Sequence, residues 1–220
     1  MCIRDSLEDG NIGLNTGGMG SFAQPDLWNP DLAAQVESAI MRPVVRAMAD
    51  QGAPYKGVLY AGLMLTESGP TVLEFNCRLG DPETQVVIPL LKSDPLDLMM
   101  ACAQGNLGQT EVIWGDRTYV GVVMVSAGYP GEYQTGFEIS GLDEDGPQDT
   151  MVFHAGTKLD QPGTPLTSGG RVLTVVGGGD DLGSAKRRAY SRLETISFQG
   201  AWWRRDIGSS ANHGVTQATG

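Results

Sequence analysis

The sequence predicts an α+β fold built on antiparallel strands, and three observations carry that prediction. Two apolar runs, residues 57–66 and 71–77, flank Glu67-Ser68-Gly69-Pro70 and read as a β-hairpin. Helical periodicity precedes this hairpin and follows it. Beyond residue 109 the pattern changes to short strands separated by Gly/Pro turns and closed by one helix. A chain of 220 residues can hold two such domains, expected at 1–105 (hairpin with helices) and 106–208 (β-rich, one or two helices). The polar, aperiodic residues 209–220 are expected to be a disordered tail.

Taken in order, residues 1–8 offer no starting strand or helix and read as a foreign junction or a disordered opening, MCIRDS above all. Residues 9–24 are Gly-rich and polar and read as a loop. Asn29-Pro30-Asp31 is a helix start, with Leu32, Val36, Ile40, Val44 and Met48 on one face. Pro43 sits inside that pattern and should kink or split it; Gly52-Ala53-Pro54 ends it. Residues 57–66 (GVLYAGLMLT) form a near-continuous apolar run, so this strand is expected to be buried on both faces. Asp81-Pro82-Glu83 suits another helix start, with Asp81 as cap and Pro82 in the first turn. Helical pattern runs over 84–91 and again over 95–103. Strands are expected at 119–127, 151–155 and 171–176, and a last helix over 182–196 buries Ala185, Ala189, Leu193 and Ile196.

Bulk properties exclude several function classes. Hydrophobic content of 40% and charged content of 19% suit a folded chain. A net charge of −11 opposes binding to nucleic acid and to anionic membrane surfaces, since both need a cationic field. Cys2, Cys77 and Cys102 are too few and too scattered for a disulfide framework or a zinc site, which points to a reducing cytoplasm. No apolar stretch reaches the length of a transmembrane helix.

The most informative segment is TVLEFNCRLGDPETQ, residues 71–85. Glu74, Asn76 and Arg78 alternate along a strand, so they are expected to share one face at intervals of roughly 7 Å. A carboxylate and an amide oxygen at that spacing can hold Mg²⁺, which takes hard oxygens and shares its sphere with water and phosphate. The alternative is a solvated polar edge. Arg78 can clamp a phosphate or carboxylate, or make an ion pair with Asp81 or Glu83.

Other motifs are weaker. Asn15-Thr16-Gly17-Gly18 could present backbone N–H groups to an anion, but it is neither GxGxxG nor a P-loop. Gly177-Gly178-Gly179 could be a phosphate loop, but Asp180-Asp181 favours a turn with a helix cap. His154 reads as structural, and His213 lies in the tail. Cys77 reads as a small buried apolar residue. Trp202-Trp203-Arg204-Arg205 reads as a packed cap rather than a stacking site.

Together the segments DGNIGLNTGGMGSF, YKGVLYAGLML, LEFNCRLGDPETQ, GVVMVSAGYPGEY, VFHAGT, GGRVLTVVG and RRDIG resemble the phosphoribosylamine–glycine ligase family of the ATP-grasp superfamily, in the family's order, over residues 9–208. The resemblance implies the end of an ATP-grasp core followed by a β-rich C-terminal domain. It implies ATP-dependent joining of glycine to 5-phosphoribosylamine through glycyl phosphate, by a monomeric cytoplasmic enzyme that uses Mg²⁺ or Mn²⁺. Glu74 and Asn76 match the metal ligands, and Arg78 the catalytic cation of the cleft. Asn15, Thr16, Gly17, Gly18, Arg78 and Asp81 match substrate- and phosphate-binding segments. The strand at 57–65 has no carboxylate, which favours this family over carboxylase-type ATP-grasp ligases. The family carries an N-terminal domain and an ATP-binding lobe ahead of NTGGMG, and a proline where Leu14 stands. The resemblance therefore implies a C-terminal fragment that is inactive alone. The competing expectation is a non-catalytic module that binds a phosphorylated ligand or a partner from a split ATP-grasp protein.

Overall fold

The structure, a computed structural model, describes residues 2–23, 25 and 27–209. In chain order the elements are β1 (Cys2–Glu8), β2 (Ile12–Phe22), α1 (Pro30–Val36), α2 (Arg42–Asp50), β3 (Tyr60–Thr66), β4 (Gly69–Asn76), α3 (Thr84–Val87) and α4 (Pro95–Gln104). They continue with β5 (Thr118–Val125), β6 (Thr150–His154), β7 (Thr157–Leu159), β8 (Pro165–Thr167), β9 (Arg171–Gly179) and α5 (Leu182–Leu193). The fold is α+β, and its sheets are antiparallel throughout. The chain forms two compact units that are discontinuous in sequence, whereas the division expected above is contiguous at residue 105. Of the described residues, one unit gathers 2–23, 81–90 and 115–209, and the other 25, 27–80 and 91–114.

The first unit is a five-stranded sheet in the order β1-β2-β5-β9-β6. β5 lies between β2 and β9, and all of its residues are buried. Period-two alternation explains why its sequence is apolar throughout. Val120, Val122 and Met124 join Ala185, Ala189 and Leu193 of α5 in one cluster, while Tyr119, Val123 and Val125 belong to the clusters of the other face. α5 begins with a capping box, the Asp181 carboxylate accepting the Ser184 N–H at 2.7 Å and Ser184 Oγ accepting the Asp181 N–H.

Three expectations change in this unit. Residues 2–8 are not disordered: they form β1, which pairs with β2 from Cys2↔Phe22 to Glu8↔Ile12. Residues 12–22 are a strand rather than a loop, because the ladder uses backbone groups that glycine supplies as well as any residue. Gly177-Gly178-Gly179 continues β9 instead of turning. A Cβ on Gly177 would overlap the α5 backbone at Ala185 and Ala189, so glycine there lets helix and sheet meet closely. The short strands β7 and β8 were not anticipated.

Arg204 closes the first unit from below β1. It is fully buried and donates to Ser6 O at 3.0 Å, Asn11 Oδ1 at 2.9 Å and both Asp206 oxygens, at 2.7 and 2.6 Å. Asp206 also accepts the Gly10 N–H at 2.9 Å, and Asp9 accepts the Arg205 N–H at 2.7 Å. Burial works against the Asp206 charge, but the Arg204 guanidinium and the Gly10 amide outweigh it and hold the carboxyl down at about 2. Burial likewise pushes up the Tyr190 hydroxyl, which donates to Arg204 O at 2.8 Å and accepts the Ile207 N–H at 3.1 Å. Trp202-Trp203-Arg204-Arg205 thus packs as a cap, with Trp203 against the main cluster.

The second unit holds α1, α2, α4 and the β3–β4 hairpin. Asn29 caps α1 by accepting the Leu32 N–H at 2.9 Å, and a π-helical turn over Glu37–Met41 separates α1 from α2 immediately ahead of Pro43. Asp94 caps α4 by accepting the Leu96 N–H at 2.8 Å, and Gly105 ends it in the left-handed region at φ 79°. Its described residues include no fully buried hydrophobic side chain: Val36, Ile40 and Ala101 keep 6–9% of their surface. The expectation that residues 57–66 are buried on both faces fails: β3 is half-buried to exposed, because it pairs with β4 alone in a two-stranded sheet. Of the expected tail, residues 209–220, Ser209 is ordered, its N–H donating to Asp206 O at 3.1 Å, and residues 210–220 with His213 lie outside the described residues.

Candidate functional site

In the second unit, β4 carries Glu74 and Asn76 on one face, and Asn76 Nδ2 donates to Glu74 Oε1 at 2.8 Å. Glu74 faces Gly62 of β3 in register, so the partner strand places no side chain over it. A bulge at Leu73 lies just ahead of Glu74. Turning the Asn76 amide over would set its oxygen beside the Glu74 carboxylate, giving two adjacent hard donors open to solvent. That donor set fits Mg²⁺ or Mn²⁺ held partly by water and substrate oxygens. It does not make a closed protein cage: among the described residues no three or more His, Cys, Asp or Glu gather around one point.

Arg78 does not extend this face. β4 ends at Asn76, and the exposed Arg78 turns back so that Nη1 donates to Leu79 O at 3.0 Å. Among the described residues it makes no ion pair, so neither Asp81 nor Glu83 neutralises it. Cys77 is exposed rather than buried, for the same reason: the strand has already ended.

In the first unit, the Gly-rich segment of β2 meets the Asp81–Pro82 turn. The amides of this segment are already engaged. Gly17 N–H donates to Tyr129 Oη at 3.0 Å, Gly18 N–H to Thr16 Oγ1 at 3.0 Å, and Thr16 Oγ1 in turn to Asp5 O at 2.7 Å. Asn15 is exposed, paired in register with Ser6. A Cβ on Gly18 would run into the Pro82 ring, and Ser21 Oγ donates to Pro82 O at 2.8 Å. The glycines here serve close packing.

Asp81 does not cap a helix, as the sequence suggested. Its peptide to Pro82 is cis, and its carboxylate is held elsewhere, by Arg171 Nη2 at 2.9 Å and Gln85 Nε2 at 2.9 Å. Arg171 Nη1 also donates to Gly17 O at 2.7 Å and to Asp81 O at 2.8 Å. Sequence reasoning missed Arg171, a single cation at the start of an expected strand, and no local pattern marks it. His154 makes one contact, between Nδ1 and Thr157 Oγ1 at 3.0 Å, in keeping with a structural role.

The chain thus combines an antiparallel hairpin bearing a Glu-x-Asn pair with a five-stranded antiparallel sheet, and its sequence places it in the ATP-grasp class. Residues 4–84 match the family described as phosphoribosylglycinamide synthetase, ATP-grasp (A) domain, and residues 119–210 match phosphoribosylglycinamide synthetase, C domain. The chain belongs to the phosphoribosylglycinamide synthetase family. It is 49% identical over 195 residues to a phosphoribosylamine–glycine ligase of Caldanaerobacter subterraneus, covering 89% of this chain and 46% of that one. It is 48% identical over 207 residues to a phosphoribosylamine–glycine ligase of Synechocystis, covering 93% and 49%. The crystal structure of the phosphoribosylamine–glycine ligase of Thermotoga maritima superposes with a TM-score of 0.80 at 33% identity, over 93% of this chain and 50% of that one. The chain thus spans about half the length of these relatives. Among the described residues no helix is long and apolar enough to cross a membrane.

Proposed function

We propose that this chain supplies the metal-holding strand and the C-terminal domain of a phosphoribosylamine–glycine ligase. The reaction is ATP-dependent joining of glycine to 5-phosphoribosylamine through glycyl phosphate, giving N1-(5-phosphoribosyl)glycinamide, ADP and phosphate for purine synthesis. The names of the relatives support the reaction, and the observation that carries it to residues is the Glu74–Asn76 oxygen pair. Glu74 and Asn76 would hold Mg²⁺ or Mn²⁺; such an ion, once bound, neutralises charge on the transferring phosphoryl group. Glu74 supplies the charged ligand and Asn76 the neutral one. Arg78, exposed just past the strand, offers a planar cation to a phosphate or carboxylate oxygen. Asn15, Thr16, Gly17, Gly18 and Asp81 are assigned to the substrate side; the Gly17 and Gly18 amides are engaged, so the contacts fall to the side chains of Asn15, Thr16 and Asp81. The enzyme acts on small molecules, as a monomer in the cytoplasm. The chain covers 46–49% of these relatives, so the reaction is proposed for a polypeptide of their full length.

A chimera tests this: residues 9–208 replace the matching half of the Caldanaerobacter relative. It should release ADP only when glycine and 5-phosphoribosylamine are both present. Glu74→Gln should lower kcat by at least about a hundred-fold and abolish the electron paramagnetic resonance signature of bound Mn²⁺. A folded chimera without turnover would favour the non-catalytic module, and Glu74→Gln with unchanged Mn²⁺ binding would remove the metal assignment.

A further inference from the structure

We propose that Arg171 is a positioning residue, whose guanidinium locks the Gly-rich strand to the Asp81 carboxylate so that both face substrate as one rigid corner. This role rests on the ligase reading above, though the geometry stands by itself. Arg171 makes three hydrogen bonds to two segments remote in sequence: Gly17 O at 2.7 Å, Asp81 O at 2.8 Å and Asp81 Oδ2 at 2.9 Å. Its side chain is 23% exposed and that of Asp81 44%, so the bonds sit at the rim of the sheet with solvent on one side. The Gly17 peptide is gripped from both ends, its carbonyl by Arg171 and its N–H by Tyr129 Oη. Tyr129 itself stands over Gly170, where any Cβ would overlap the ring, directly ahead of Arg171 in the chain. A planar fork can reach a main-chain carbonyl and a carboxylate at once, which a lysine ammonium on a flexible stem does not reproduce.

The corner it builds is rich in acceptors. Asp81 Oδ1 accepts from Gln85 Nε2, which turns Gln85 Oε1 inward, where that atom is buried and lacks a donor. The amides of Gly17 and Gly18 are spent internally. The Asp81 carboxylate, 44% exposed, keeps lone pairs beyond those taken by Arg171 and Gln85 and receives N–H donors, so the substrate group it orients is an amine rather than a phosphate. Arg171 reaches that group only through Asp81 and does not touch it.

Two measurements on Arg171→Lys, a variant that keeps the charge and hence the fold, test the role. In the 220-residue chain, amide hydrogen exchange at Gly17 should quicken by at least about ten-fold while exchange along β5 stays unchanged. In the chimera, kcat/KM for the amine substrate should fall by about ten- to a hundred-fold with KM for ATP unchanged. Equal losses for ATP and amine would reduce Arg171 to a general structural residue, and exchange at Gly17 within about two-fold of the parent would remove the clamp. An inactive unsubstituted chimera would overturn the ligase reading, while the exchange measurement would still decide the clamp.

Discussion

Thr118–Val125 lies between two strands and beneath a helix, with every residue buried. Tyr60–Thr66 pairs with one strand only, and none of its residues is fully buried. The two runs, TYVGVVMV and YAGLMLT, are of similar apolar character. What separates them is the number of neighbours, since burial is conferred by what packs against a strand and not by its own composition. In the first unit, β2 and β9 flank β5 and α5 packs on it, and odd and even side chains enter different clusters. In the second, β4 leaves Leu73 61% and Phe75 38% exposed, and β3 leaves Met64 45% exposed. The open hairpin is also the element that carries Glu74 and Asn76, the pair proposed above to hold a metal ion.

The largest blow to this contrast should come at the belt that closes the first unit. Arg204→Met removes a fully buried cation and leaves Asp206 without its partner. Loss of one member of a buried pair typically costs about 3–5 kcal/mol. Urea unfolding followed by fluorescence of Trp202 and Trp203 should show that loss, and a change below about 1 kcal/mol would mean that the belt is not what holds β1 to the C-terminal segment.

Acid should act on the same belt more gently. The Asp206 carboxyl, at about 2 in the folded chain, lies below the ordinary aspartate value of 3.8. A group whose pKa is lowered on folding stabilises fully above its unfolded value and loses that contribution as pH falls through the folded one. The contribution is therefore complete above about pH 5 and nearly gone below about pH 2, with an upper bound of about 2.5 kcal/mol. Solvent screening trims it further, since the carboxylate is 23% exposed. Unfolding midpoints of the parent and of Asp206→Asn should converge across that window. Parallel curves would show that other carboxylates dominate the acid response.

How much of this was legible in the sequence depended on how local each cause was. Asn29, Asp94 and Asp181 cap their helices through residues two or three positions away, and the short-range signals at Asn29 and Asp181 could be read directly. The shared face of Glu74 and Asn76 followed from strand periodicity, and Arg78 fell off it only because the strand ends at Asn76. Asp81 looked like a cap because nothing nearby revealed that Arg171, 90 residues on, would take its carboxylate. The Gly-rich strand β2 looked like a loop because its glycines answer to packing, Gly18 against Pro82 and Gly20 against Gly121 and Ile207. Such contacts leave no periodic trace.

The smallest effect should come from the exposed hairpin, and it sharpens the comparison most. Leu73 occupies the β4 bulge with no partner opposite it in the β3 register. Leu73→Ser removes an apolar side chain that is mostly in water already, so it should change stability by no more than about 0.5 kcal/mol. Thermal unfolding of the 220-residue chain measures this directly. A loss above about 1.5 kcal/mol would mean that the face is covered in solution, because only a buried side chain yields a penalty of that size. Sedimentation of the parent at several concentrations would then separate cover by a second copy, which depends on concentration, from cover within the chain, which does not. A small loss leaves the hairpin as an open face, stable through its backbone ladder, with Glu74 and Asn76 accessible as the proposed metal pair requires.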